Sequence, residues 1–190
     1  MKPKENRGNK VGTYDNCQTP PYALEPLLPY LPKDKIIWEC AAGKRILSTF
    51  LKNKGFWVLD TDINDVFYGD FFRIGNVTDN TYTIVTNPPY SIKYDWLDRC
   101  FELGRPFALL LPVEALGAKR AQKYIDQLDI MLLQPRVDFY MPDKGYEGGG
   151  AQFPTAWFTH ELLPYKLEVE CLNKPKRNEL AKYWKEALGE

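Results

Sequence analysis

Short apolar runs, separated by polar segments rich in proline and glycine, divide this chain into alternating elements. Residues 36–40 (IIWEC) are apolar and β-rich and read as a buried strand. Residues 45–55 fit a helix closed by Gly55, and residues 56–63 form the next strand, ending in acids. A weaker third strand is expected to end at residues 68–72, and residues 82–91 are the clearest strand-to-loop transition. Trp96, Leu97, Cys100 and Phe101 recur at helical spacing over residues 93–104, with Gly104 closing the helix. Residues 105–116 are again an apolar strand, and residues 119–128 are polar and read as helical. Two further strands, 130–141 and 154–162, flank a glycine-rich loop over 142–153. Five prolines in residues 17–32 exclude a long helix but allow a short one over 23–31, opened by Pro20 and Pro21.

Strands alternating with helices predict an α/β fold: one domain with a mostly parallel, seven-stranded sheet and helices on both faces. The domain is expected over residues 14–165. A basic flexible tail, 1–13, precedes it, and a charged helical extension, 166–190, follows.

With 44% hydrophobic and 14% aromatic residues, the 190-residue chain can bury a core, which excludes disorder as a description of the whole. No apolar run reaches the roughly 18 residues of a membrane helix, and the polar start does not read as a secretory signal. Four scattered cysteines and one histidine, His160, disfavour a disulfide scaffold, a metal site and a histidine-based triad. His160, in an apolar strand, reads as structural, and Cys40 as a small apolar residue. The expectation is a protein of the reducing cytoplasm. Twenty-five basic and twenty-five acidic residues cancel. Lys2, Lys4, Arg7 and Lys10 at one end, and Lys174, Lys176 and Arg177 near the other, read as solvated ends that also suit a polyanion.

Ligands of such sheets bind beyond the carboxyl ends of the strands. The strands deliver Glu39, then Asp60 and Asp62, then Asp70, then Asn87-Pro88-Pro89-Tyr90 to that edge. Any one acid is explained by a cap or a turn; all of them together point to a ligand rich in hydroxyls, amines and positive charge. No phosphate-cradling glycine loop is present, so a cationic nucleoside such as S-adenosylmethionine fits better than a dinucleotide.

In order and type, Glu39-Cys40-Ala41-Ala42-Gly43, Asp60-Thr61-Asp62, Gly69-Asp70-Phe71-Phe72 and Asn87-Pro88-Pro89-Tyr90 resemble the class I S-adenosylmethionine-dependent methyltransferases. The chain is most similar to the amino-methyltransferases that modify adenine N6, in particular the small phage-type DNA adenine methyltransferases. The resemblance covers roughly residues 14–160 and includes Thr19-Pro20-Pro21 and the run from Arg136-Val137-Asp138-Phe139 to Phe153-Pro154. It implies a Rossmann-like domain in which Thr19, Pro20, Glu39, Ala41 and Gly43 serve the methionine side of the cofactor. It further implies that Asp62 takes the ribose hydroxyls, with Asp60 as the rival, that Asp70 and Phe71 meet the adenine, and that Asn87 closes the site. Where the family usually has Gly-x-Gly, Gly43 is followed by Lys44 and Arg45. A side chain at the second glycine either crowds the cofactor or is turned away.

The amine of adenine is a poor nucleophile because its lone pair is delocalised into the ring. Asn87, through its amide oxygen, and Pro88, through its carbonyl, can accept both N–H hydrogens and favour the attacking geometry. Pro88 and Pro89 stiffen the loop, and Tyr90 offers a face for an extruded base. The implied partner is double-stranded DNA with a flipped adenine, with Lys119, Arg120 and Phe153 as further substrate contacts. Phe153 or Tyr146 of the 145–153 loop would cover the base. Few residues are left for reading sequence, so recognition is short or lax, or a second copy or a separate protein supplies it. The expected setting is a bacterial or phage-infected cell, with restriction-modification as one context. RNA adenine, cytosine N4 and a protein glutamine are alternative acceptors, and a non-catalytic binding protein is a further reading.

Overall fold

The computed structural model describes residues 15–65, 69–74, 82–142 and 153–189. Seven strands form one sheet: β1 (Ile36–Glu39), β2 (Trp57–Asp60), β3 (Tyr82–Thr86), β4 (Phe107–Pro112), β5 (Asp129–Gln134), β6 (Thr155–His160) and β7 (Leu167–Cys171). Their order is β2-β1-β3-β4-β6-β5-β7. The β1–β2, β1–β3, β3–β4 and β5–β7 pairings are parallel, whereas β6 runs antiparallel to both β4 and β5. The sheet is therefore mixed. Because β1 lies between β2 and β3, the chain leaves it in opposite directions, and the carboxyl ends of β1 and β3 form the switch point where such sheets bind ligands.

Two apolar layers cover the sheet. On one face Leu47 and Leu51 of helix α1 (Ile46–Asn53), with Tyr22, Leu24 and Leu27 from the N-terminal turns, pack on Ile37, Val85, Leu110 and Trp157. On the other, Trp96, Leu97 and Cys100 of α2 (Lys93–Leu103) pack on Trp38, Ile84, Leu109 and Phe158. The central strands β3 and β4 are buried on both faces, which is why β4 reads as a continuous apolar run. Gly104 closes α2 in the left-handed conformation (φ 58°) that glycine adopts without a steric penalty.

The structure corrects the sequence expectations in four places. Residues 69–74 form turns rather than a strand: the Asp70 carbonyl accepts the N–H groups of Arg73 and Ile74, and its carboxylate accepts that of Phe72 (3.0 Å). The seventh strand is instead β7, inside the stretch expected to be a helical extension. Leu167, Val169 and Cys171 alternate there with Glu168 and Glu170, a period of two rather than 3.6. Helix in that stretch is confined to α3 (Leu180–Leu188). Residues 119–128 contain only a 3-10 turn, Gln122–Tyr124. The proline-rich segment forms two 3-10 turns, Pro21–Ala23 and Glu25–Tyr30, since Pro26 and Pro29 cannot donate to an α-helical ladder. Among the described residues no helix is long and apolar enough to cross a membrane.

Candidate active site

Glu39 is the last residue of β1 and is 3% exposed. Burial pushes its carboxyl up to about 8, Ser48 opposing through its hydroxyl and backbone N–H, and Asp60 and Asp62 adding to the rise. Its Oε2 is buried with no hydrogen-bond partner. Beyond it the chain turns at Gly43, whose φ is 49° and whose N–H donates to Asp62 Oδ2 (2.8 Å). A Cβ at Gly43 would lie 2.9 Å from the Gln18 amide, so both conformation and space call for glycine there.

Arg45 stands at the position of the second glycine and adopts a left-handed backbone (φ 59°). Its side chain is turned away, to Asp60 (3.0 Å) and Asp65 (2.7 Å). Lys52 also binds Asp60. Burial alone would raise the Asp60 carboxyl, but Lys52 and Arg45 together hold it below the usual carboxylate range. Asp60 is thus committed to two cations. Asp62, half-buried, binds Gly43 and, through Oδ1, the Asn64 backbone N–H (3.1 Å) and side-chain amide (2.7 Å).

At the end of β3, Asn87 is half-buried. Its Nδ2 donates to the Cys17 carbonyl (3.4 Å), while its Oδ1 is buried without a partner. Tyr90 is 7% exposed, with its ring edge-on to Phe153 (5.8 Å) and Phe139 (6.5 Å). Burial pushes its hydroxyl well above the usual phenol range, and that hydroxyl also lacks a partner. The segment before Pro20 runs alongside both loops: Asp15 binds Ser91, and Gln18 Oε1 accepts the Lys44 N–H (2.9 Å).

Thr19 Oγ1, Glu39 Oε2, Thr86 Oγ1, Asn87 Oδ1 and Tyr90 OH are all buried and unsatisfied, and Thr155 Oγ1 joins them where β6 begins opposite Pro112. Each such atom costs roughly 1–3 kcal/mol unless something pairs with it. They lie in and around the switch point where β1 and β3 end. The Asn87 amide oxygen can only accept, while the four hydroxyls can donate as well as accept, so the arrangement suits a polar ligand that brings N–H donors.

Not every residue expected in the site lies open to it. Phe71 is in the core, 2% exposed and stacked on Trp96 at 4.2 Å, with Phe72 beside it half-buried. Asp70 caps its own turn and pairs with Arg73 (3.1 Å). Arg120 is bound to Asp95 (2.6 Å) and Asp98 (2.9 Å), so its charge is neutralised locally; Lys119 is exposed. Pro20 and Pro88 are buried and Ala41 and Pro89 half-buried along the same loops, and Phe153 meets Tyr90. Lys174 is taken by Asp138 (2.6 Å), and His160 Nδ1 contacts the Gln127 carbonyl (3.0 Å). Tyr146 and the basic tail lie outside the described residues. Sequence reasoning missed Asp15, Gln18, Ser91, Thr86 and Thr155. Asp15 and Gln18 lie just before the Thr19-Pro20 pair, and Ser91 directly follows the Asn-Pro-Pro-Tyr loop, which was the available signal. Among the described residues no group of three His, Cys, Asp or Glu side chains could hold a metal ion.

No protein-family model and no curated protein matches the sequence. Solved structures do. The chain is similar to a protein from Listeria monocytogenes provisionally assigned as a class I S-adenosylmethionine-dependent methyltransferase, with a TM-score of 0.56 at 14% identity, covering 94% of this chain and 74% of that one. It is also similar to the 23S rRNA methyltransferase ErmE, with a TM-score of 0.53 at 14% identity, covering 88% and 73% respectively. Together with the strand order, these likenesses show that the chain shares the α/β fold of these two structures.

Proposed function

We propose that this protein transfers a methyl group from S-adenosylmethionine to the N6 amine of an adenine in DNA, with the base turned out of the duplex into the Asn87–Tyr90 loop. The observation that carries the reading is Asn87 Oδ1, a buried acceptor without a partner at the end of the central strand β3.

The residues present fit the cofactor. Glu39, buried with an unsatisfied oxygen, matches a cationic ligand, and Thr19 Oγ1 supplies a further unpaired polar atom. Thr19, Pro20, Glu39, Ala41 and Gly43 would hold the methionine part. Asp62 would take the ribose in preference to the doubly paired Asp60, and Asp70 the adenine, with Phe72 better exposed than Phe71 to accompany it. When bound, the sulfonium supplies an already activated methyl group.

The chain's own work is positioning. Asn87 Oδ1 and the Pro88 carbonyl accept the two N–H bonds of the target amine and favour a pyramidal nitrogen whose lone pair points at the incoming carbon. The methyl group would pass to nitrogen at the expense of the sulfonium's S–C bond, leaving a neutral thioether; the resulting ammonium is acidic and gives one proton to water, so no strong base is needed beforehand. Tyr90, kept neutral by burial, and Phe153 supply aromatic surface beside the base. RNA is the alternative acceptor, as for the 23S rRNA methyltransferase that shares the fold.

Nucleoside mass spectrometry on DNA and on RNA, each incubated with the protein and S-adenosylmethionine, tests the proposal. N6-methyladenine in DNA that vanishes with Asn87→Ala is the expected result. Methylated adenine in RNA alone moves the acceptor, and no methylated nucleoside in either refutes the reading.

A further inference from the structure

We propose that residues 15–18 form a positioning strap that fixes which end of the Asn87 amide faces the reaction crevice, with Asp15 as the residue that pins the strap to the Asn-Pro-Pro-Tyr loop. The inference rests on the methyltransferase reading above and extends it to residues outside the loop.

An amide side chain has two orientations related by a half-turn, and in one of them Asn87 would present N–H donors to an amine that itself must donate. The partner decides between them. The Cys17 carbonyl has no hydrogen to give, so the end of the amide facing it must be Nδ2, and Oδ1 is directed elsewhere, to where it is buried and unpaired. At 3.4 Å this bond is long, and alone it would hold neither group in place.

The carbonyl is held by its neighbours on both sides. Upstream, the Asp15 carboxylate accepts two hydrogen bonds from Ser91, from the backbone N–H (2.9 Å) and the hydroxyl (2.5 Å), four residues beyond Asn87. Downstream, Gln18 exchanges backbone hydrogen bonds with Tyr140 in both directions (2.8 and 3.0 Å), and its Oε1 accepts the Lys44 N–H. Tyr140 in turn lies against Trp184 of α3 (5.4 Å). The strap is therefore tied to the loop after β3, to the loop after β1 and to the segment after β5, with Cys17 at its centre. Removing the Asp15 carboxylate frees the end nearest the reaction, so the amide loses its fixed orientation while the cofactor side, held through Gln18, is retained.

The test uses the full-length protein with Asp15→Ala and Asp15→Asn, the latter keeping one acceptor for Ser91. In 15N-labelled protein, hydrogen exchange of the Asn87 side-chain amide, identified by its absence in Asn87→Ala, should quicken by about tenfold or more in Asp15→Ala and by less in Asp15→Asn. The kcat for methyl transfer should fall ~10–100-fold in Asp15→Ala, in keeping with an ångström-scale misplacement, with partial rescue by Asp15→Asn. KM for S-adenosylmethionine and the thermal midpoint should hold nearly constant, which a merely structural role would not allow. Unchanged Asn87 exchange in Asp15→Ala overturns the strap whatever the activity. Faster exchange with unchanged kcat overturns its role in positioning. Faster exchange in a protein that methylates nothing supports the hold on Asn87 and counts against methyl transfer, so the two failures are distinguishable.

Discussion

Replacing Glu39 by glutamine should make the protein more stable at alkaline pH and leave it unchanged at acid pH. Glu39 is buried at the end of β1, and its carboxyl is raised from 4.5 to about 8. A group whose pKa is higher in the folded state binds its proton more tightly there. Its contribution to stability is therefore fully present below 4.5 and is lost as pH rises through about 8. At roughly 1.36 kcal/mol per unit, the displacement corresponds to at most about 5 kcal/mol. Relaxation of the adjoining loop and entry of water lower this to about 2 kcal/mol. For a chain of this size that is ~4–8 °C in Tm. Glutamine preserves shape and carries no charge to desolvate. Thermal unfolding followed by circular dichroism should show equal midpoints for wild type and Glu39→Gln near pH 5, diverging to that difference by pH 9. A variant less stable than wild type at pH 9, or a difference that does not change with pH, would refute the assignment of Glu39 as a neutral, desolvated acid.

The same carboxyl must ionise to pair with a cationic ligand, so S-adenosylmethionine binding to wild type should tighten by up to about tenfold for each unit that pH rises toward 8, relative to Glu39→Gln, as read by titration calorimetry. Gly43→Ala places a Cβ 2.9 Å from Gln18 in a left-handed backbone; it should cost about 1–3 kcal/mol in chemical denaturation and weaken cofactor binding, whereas a neutral result would show that the loop is not held as described. Lys119→Ala should reduce the slope of log K against log salt for DNA binding by about 0.9 without affecting stability; Arg120→Ala, which breaks the links to Asp95 and Asp98, should act on stability by about 1 kcal/mol and leave the slope nearly unchanged.

The sheet was legible wherever burial on both faces leaves an unbroken apolar run, as in β4, and wherever a strand ends at an acid or just before an amide, as at Glu39 and Asn87. It was misread at the edge. β7 alternates apolar and acidic residues, so by composition it looks like a charged extension, and its period of two identifies it only when considered apart from the lysines around it. The residues 69–74 suggested a strand by their aromatics, but the Asp70 carboxylate satisfies the backbone locally and ends the extended run. Within the candidate site, the place of Asn87 directly after β3 could be read from its residue type and the strand before it. The commitment of Asp60 to Arg45 and Lys52 could not, because those cations reach it across the fold. Nor could the burial of Phe71, which follows from Trp96 stacking on it from α2. Asp15 and Gln18 act through hydrogen bonds to residues distant in sequence, which leave no periodicity behind.

The most direct test of the central claim is single-turnover methyl transfer from S-adenosylmethionine to a DNA duplex by wild type and Asn87→Ala, with the cofactor Kd measured on the same preparations. The account predicts that the variant loses ~100–1000-fold in the rate of transfer, the loss seen when one preorganised partner of a transition state is removed, while its Kd stays within about twofold. Transfer at the wild-type rate, or a loss explained entirely by weaker cofactor binding, would contradict it.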